Sequence, residues 1–327
     1  MTYTITEESF DSLALYRNEY GDRLNWHLVF MLPEWLKVWW EELGTGAETY
    51  LRAVRQEDTI IGIAPLKVDG RMASFLGSVN VCDYLDFVAA PGREEDFFNV
   101  LLADLQQNGI SHLDLRALRP DSVTLSWLVN IAQSRGYEVL CQPDDISLEV
   151  NLPPTWEEYL MILDKKQRHE VRRKLRRLSE AGQVNYRLAR DSESIHGSLD
   201  VFFSMFTESR QDKADFLTAQ MESFFKSMAG AMTEAGILRL GILELDGLPV
   251  AMIIFFDYNN GIYLYNSGYD PRYNSLSAGL LCKVLCIKES IEEGKKVFDF
   301  LKGDEAYKYH LGGKEVPLSR CQITISQ

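Results

Sequence analysis

The stretch FDFLKGDEAYKYHLGG, residues 298–313, sets Asp299, Lys302, Asp304, Glu305, Lys308 and His310 among Phe298, Phe300, Leu301, Tyr307 and Tyr309. A solvated loop has no need of these aromatics. A core strand tolerates these charges only if they are paired or engaged in chemistry. Ionisable groups at such an edge are the material of acid–base catalysis, or of a buried ion pair that holds the chain together. A second concentration lies at residues 165–181, where Lys165, Lys166, Arg168, Arg172, Arg173, Lys174, Arg176 and Arg177 stand against Glu170 and Glu180. This local charge of +6 leaves −20 for the rest of the chain. Two readings fit it: a solvated helix face pairing with acidic surroundings, or an anion site for a phosphate-bearing ligand, for which arginine's planar fork is suited.

The elements that position these residues follow from the whole chain. Its 327 residues exceed one ordinary core and suit two domains of about 150 residues each. A net charge of −14 repels nucleic acid and anionic membranes, which excludes general DNA binding. The five cysteines form no CxxC and no even-numbered framework, so reduced thiols are expected. Cys282 and Cys286, four apart on one helix face, are expected in the core, since a metal pair would need nearby histidines; no metal is expected. The start MTYTITEESF is acidic and lacks a leader pattern, and PVAMIIFF (249–256) is too short to span a bilayer, which takes about 20 residues. A cytoplasmic location is the expectation.

The two halves repeat one order. TIIGIAPLKV (59–68), FLGSVNVCDYLDFVAAP, REEDFFNVLLADLQQNG and ISHLDLRAL are echoed by ELDGLPVAMIIFF (244–256), GIYLYNSGYDPRYN, SLSAGLLCKVLCIKESIEEG and KKVFDFLKG. Gly62 precedes Asp114 by 52 residues and Gly247 precedes Asp299 by 52; at the same offset Gly109 matches Gly294 and Tyr84 matches Tyr269. Each half therefore predicts strand, turn, strand, loop, helix, strand, with glycine closing the helix. The expected fold is mixed α/β (α+β), in domains 1–152 and 153–327, each a mixed sheet flanked by helices. Between them Thr155 and Glu158 form a capping box that starts one helix with the apolar seam Leu160, Leu163, Val171, Leu175 and Leu178. Trp35, Trp39 and Trp40, at helical spacing, are expected in the core.

KKQRHEVRRKLRRL, RQDKADFLTAQMESFFKSM (210–228), GYDPRYNSLSAGLL, FDFLKGDEAYKYHLG and CDYLDFV (82–88) occur in an order that resembles GNAT acyltransferases. The branch is the one found among bacterial cellulose and exopolysaccharide biosynthesis proteins, related to Fem-type peptidoglycan-bridge ligases, which also carry two GNAT-like domains. The resemblance extends over most of residues 30–313. It implies two tandem GNAT-like domains and direct attack of an amine or hydroxyl on a thioester, with acetyl-CoA or another acyl-CoA as co-substrate. The acceptor implied is a small molecule, a saccharide or a peptidoglycan precursor.

It further implies a donor loop at Arg272, Ser275, Leu276, Ser277, Ala278 and Gly279, although Ser275 and Ser277 stand where the usual GNAT pattern has glycine-like positions. Asp304 and Glu305 become acid–base candidates, Lys308 a positive charge for an oxyanion or a phosphate, and Tyr307 a hydroxyl for the leaving thiolate. Acceptor contacts are expected from Asp83, Tyr84, Asp86, Arg168, Arg172, Lys213 and Tyr269. Arg210 and Lys213 either reach ligand phosphates or form ion pairs with Glu208 and Asp215. Two alternatives stand beside acetyl transfer: Fem-like aminoacyl transfer from an aminoacyl-tRNA, and a duplicated fold that binds a ligand without chemistry.

Overall fold

A computed structural model describes residues 2–21 and 23–325. The described chain divides into two compact units, one reaching Ile146 and taking in the C-terminal residues from Val316, the other running Ser147–Glu315. This division differs from domains 1–152 and 153–327 at the C-terminus, where the last strand returns to the first unit's sheet.

The first unit contains β1 (Tyr3–Glu7), α1 (Phe10–Tyr20), α2 (Pro33–Leu43), β2 (Glu48–Gln56), β3 (Thr59–Asp69), β4 (Met72–Phe75), β5 (Val88–Ala89), α3 (Glu94–Gln107), β6 (His112–Leu118), α4 (Val129–Ser134) and most of β7 (Glu138–Asn151). Its strand order is β1-β2-β3-β4-β6, then the C-terminal strand, then β7, with β5 paired to β3. The β4–β6 pair is parallel and β1–β2–β3–β4 is antiparallel, which makes the sheet mixed. Trp35 and Trp39 of α2 and Phe97 and Phe98 of α3 are buried in its core. A Cβ at Gly62 would stand 2.2 Å from the Phe97 ring, so this mid-strand glycine lets α3 lie close to β3.

The second unit contains α5 (Trp156–Ile162), α6 (Lys165–Ala181), β8 (Val184–Ala189), α7 (Ser192–Ser209), α8 (Gln211–Phe216), α9 (Ala219–Glu234), β9 (Leu238–Leu245), β10 (Leu248–Tyr258), β11 (Gly261–Tyr269), α10 (Ala278–Glu292), β12 (Val297–Lys302) and α11 (Ala306–His310); β13 (Lys314–Thr324) then leaves it. Its order, from the end of β7, is β7-β12-β11-β10-β9-β8. Only β11–β12 is parallel among these pairs. Every residue from Val250 to Phe255 is buried, as a central strand covered on both faces requires. Among the described residues no helix is long and apolar enough to cross a membrane.

Three local expectations change. The segment after Pro154 is two helices, not one: Leu163 turns extended, and the Asp164 carboxylate accepts the Gln167 N–H at 2.8 Å, capping a fresh start at α6. Gly247 (φ 79°) forms the β9–β10 hairpin turn with Asp246, while Gly62 lies inside β3. The glycine match therefore fails there, and the β2–β3 turn is made by Glu57 at φ 53°. Cys141 and Cys321 are joined as a disulfide between β7 and β13, against the expectation that all five thiols are reduced. Cys82, Cys282 and Cys286 are free and buried.

Candidate active site

Two parallel strands part in the second unit. β11 and β12 pair only through Gly261–Tyr263 and Val297–Asp299, while β11 continues to Tyr269 and β12 to Lys302. The cause lies in β12. The buried Asp299 carboxylate accepts the Leu301 N–H at 2.7 Å, Leu301 takes a φ of 60°, and the register with β7 slips between Asp299 and Lys302. The β11–β12 ladder therefore ends at Tyr263 and Asp299, before either strand does.

At the end of β11 the chain turns through 271–276 into α10. Ser277 stands in the left-handed region (φ 59°, ψ 37°) and its side chain caps no first-turn N–H. The N–H groups of Ala278, Gly279 and Leu280 are thus free of a side-chain cap, the arrangement that receives a phosphate. Gly279 is required here, because a Cβ would come 2.8 Å from the Tyr269 ring. Arg272 is bound in a fork to the buried Asp270, at 3.0 and 2.6 Å, and holds that carboxyl below its ordinary range. The arginine turned to the loop is Arg177 of α6: its Nη2 donates to Ser277 Oγ at 3.4 Å, and its Nε is buried without a partner. Ser275 is exposed, Leu276 half-buried and Ala278 buried.

The turn after β12 carries the charges that mark the sequence. Lys308, 1% exposed, donates to the carbonyls of Leu301 (3.0 Å), Lys302 (2.6 Å) and Gly303 (3.1 Å) and pairs with Glu305 at 2.9 Å. Its three protons are fully engaged in holding the turn, so no N–H is left for an oxyanion. The Tyr159 hydroxyl on α5 donates to the Leu311 carbonyl at 2.9 Å and anchors the end of α11. Asp304 is exposed on this turn. Burial pushes Glu305 up, but the Lys308 hydrogen bond and charge win and hold it below its ordinary range. Burial and the nearby Glu305 charge push the Tyr307 phenol up, so it stays protonated. Its hydroxyl has no hydrogen-bond partner among the described residues.

Two further lysines complete the cluster. Lys213 on α8 donates to the Ser267 carbonyl of β11 and lies 4.8 Å over the Phe206 ring. Lys283 on α10 donates to Gly279 O at 3.1 Å and lies 5.0 Å over the Tyr307 ring. Burial lowers both to about 8; the Lys283 charge adds to the effect on Lys213. Lys283 was hidden in the sequence as one of two lysines in a largely apolar helix, although its neighbours Cys282 and Val284 at buried positions were a signal. Arg177 was hidden among eight basic residues.

The remaining residues lie elsewhere. Arg172 pairs with Glu157 (2.8 Å), Arg173 with Glu170 (2.8 Å) and Arg176 with Glu180 (3.6 Å), while Arg168 contacts Met161. Three of the eight basic side chains of this helix are therefore paired with glutamates. Asp83, Tyr84 and Asp86 belong to the first unit. Tyr84 is buried beneath Arg119, 4.9 Å from its ring centre. Asp86, fully buried, accepts from Val123 N (2.7 Å), Thr124 N (3.2 Å) and Thr124 Oγ1 (2.6 Å), which caps the helical turn before α4. Asp86→Ala is expected to cost about 2–3 kcal/mol in urea denaturation, since it strands two N–H groups and a hydroxyl.

A mixed sheet whose parallel strands part beside an uncapped helix N-terminus is the GNAT acyltransferase fold. Residues 165–309 match the model of the Acetyltransferase (GNAT) domain. FemX shares the fold at a TM-score of 0.66 and 12% identity, over 97% of this chain and 96% of FemX. A conserved protein of unknown function from Bacteroides thetaiotaomicron shares it at 0.64 and 13%, over 99% and 100%. At such identities the likeness concerns fold alone. A search of curated proteins finds no match.

Proposed function

We propose that the second unit transfers an acyl group from an acyl-CoA thioester to an amine or hydroxyl of a small-molecule or saccharide-type acceptor. The observation that carries this reading is the uncapped first turn of α10, with Arg177 beside it and β11, parted from β12 beyond Tyr263, leading to it. These groups fit a diphosphate followed by an amide-bearing arm. The co-substrate supplies an acyl carbon with a good leaving group, and the chain's own residues do the rest.

The first-turn N–H groups of α10 and Arg177 hold the phosphates. The stretch of β11 beyond its pairing with β12 orients the arm. The Glu305 carboxylate, ionised at neutral pH by its contact with Lys308, takes the proton that the acceptor loses as the new C–N or C–O bond forms. The Tyr307 hydroxyl gives a proton to the sulfur as the C–S bond breaks. Asp304, exposed one residue earlier, is the weaker candidate for the base. Arg272 is held by Asp270, so Arg177 is the residue to test.

Calorimetric titration with coenzyme A and acetyl-CoA is the test. Saturable binding is expected, weakened about tenfold by Arg177→Ala with an unchanged melting temperature. Absence of binding to either compound would overturn the acyl-CoA reading. The fold shared with FemX favours aminoacyl transfer as the second reading. Salt-sensitive RNA binding lost on Arg172→Ala and Arg176→Ala together would select it.

A further inference from the structure

The three buried or mostly buried lysines of the second unit are satisfied very unequally. Lys308 meets three carbonyls and a carboxylate. Lys283, 8% exposed, has one acceptor, Gly279 O, for its three N–H protons. Lys213 likewise has one, Ser267 O. Neither has a carboxylate within ion-pair distance among the described residues. The nearby carboxylates are already taken, Glu305 by Lys308 and Asp212 by Arg210 at 2.8 Å. Ring faces of Phe206 and Tyr307 lie 4.8 and 5.0 Å from the Lys213 and Lys283 ammoniums.

Two desolvated cations, near enough for one to perturb the other, with four N–H donors unengaged, are costly unless an anion joins them. Their carbonyl anchors locate them: Ser267 lies on β11 beyond its pairing with β12 and Gly279 in the first turn of α10, while Tyr307 bears the free hydroxyl. Lys283 stands over the ring of Tyr307, one of the groups assigned to proton transfer, while Arg177 bonds Ser277. We propose that Lys213 and Lys283 form a subsite for an oxyanion, a carboxylate or a phosphate, carried by the acceptor close to the group that receives the acyl chain. The proposal rests on the acyl-transfer reading for the word acceptor; the anion site itself does not. Arg210, Asp212, Glu305, Lys308, the Tyr307 phenol and the Cys282 and Cys286 thiols are the other ionisable groups in electrostatic reach of the pair.

The experiment titrates inorganic phosphate, and separately acetate, into the full chain at pH 7 and low salt, by calorimetry and thermal melting. The wild type is expected to bind saturably and to melt several degrees higher. Lys213→Met and Lys283→Met are each expected to weaken that binding at least tenfold, with coenzyme A affinity within twofold of wild type. Lys213→Arg, which keeps the charge, is expected to retain it. If Lys283→Met does not fold, the Lys213 pair of variants decides alone. No phosphate or acetate binding in the wild type overturns the subsite. So does binding that responds to Arg177→Ala but not to the lysine variants, because it belongs to the α10 turn. Loss of coenzyme A binding together with phosphate would assign the lysines to the donor, and overturn an acceptor role. Lysine-dependent phosphate binding in a protein that binds no coenzyme A leaves the subsite standing and removes only the donor reading.

Discussion

Lys308→Met is expected to lower the stability of the second unit by about 3–5 kcal/mol, the cost of breaking a buried ion pair together with its hydrogen bonds. The ammonium holds the carbonyls of Leu301, Lys302 and Gly303 and the Glu305 carboxylate in one turn. That turn contains Leu301 at φ 60° and Gly303 at φ 106°, conformations that side-chain-bearing residues avoid unless the surroundings impose them. Methionine fills the stem's volume but leaves three carbonyls without donors and Glu305 without its partner. For a unit of this size the loss corresponds to a fall of roughly 10 °C or more in melting temperature. A thermal melt and a urea titration of the variant check it. If Lys308 instead contacted the reacting oxyanion and had no structural duty, turnover would vanish while the melting temperature stayed put. That outcome would reverse the assignment.

The same lysine shows what the sequence could convey. Aromatics interleaved with charges after Phe298 announced that these groups were paired or at work, and both answers are present within ten residues. Asp299 and Lys308 build the turn; Glu305 pairs with Lys308 in it, and Tyr307 sets its ring under Lys283. Type and spacing cannot separate the two duties, because the difference lies in which protons are engaged by carbonyls that the backbone brings round only after the β12 register slips. The alternation of strands and helices was legible from periodicity, and Gly109 and Gly294 both end helices at positive φ, as a repeat of one order requires. Gly62 and Gly247 share an offset by coincidence: one admits the Phe97 ring and the other makes a hairpin turn. Such contacts are long-range, and an equal spacing does not encode them. The Cys141–Cys321 link escaped for the same reason, with 180 residues between two thiols that only the return of β13 brings together.

The ligand-free protein is expected to gain stability as the pH rises from about 8. Lys213 and Lys283 hold their protons weakly in the folded state, to about 8, because burial disfavours the charged form, whereas the unfolded chain keeps an ordinary lysine near 10.5. Between those values the unfolded state binds more protons, so raising the pH stabilises the fold; below about 8 both states are protonated and the cost of the buried charges is present in full. Each lysine contributes about 2–3 kcal/mol to this rise. Other groups oppose it at the upper end. Burial pushes the Cys282 thiol up to about 12 from 9 and raises Cys286 further, and the Tyr186 and Tyr307 phenols also rise. For these acids the folded state is the one that retains the proton, so stability falls as the pH climbs past 9. The wild type should therefore show a maximum near pH 9. The lysine contribution is isolated by difference: urea denaturation of wild type and Lys283→Met at pH 7, 8, 9 and 10 should give a gap that moves in the wild type's favour as the pH rises. A gap that stays constant across this range would mean that Lys283 is solvated or already neutralised. Saturating phosphate should flatten the same gap, because an anion beside the ammoniums returns their affinity for protons towards that of an ordinary lysine.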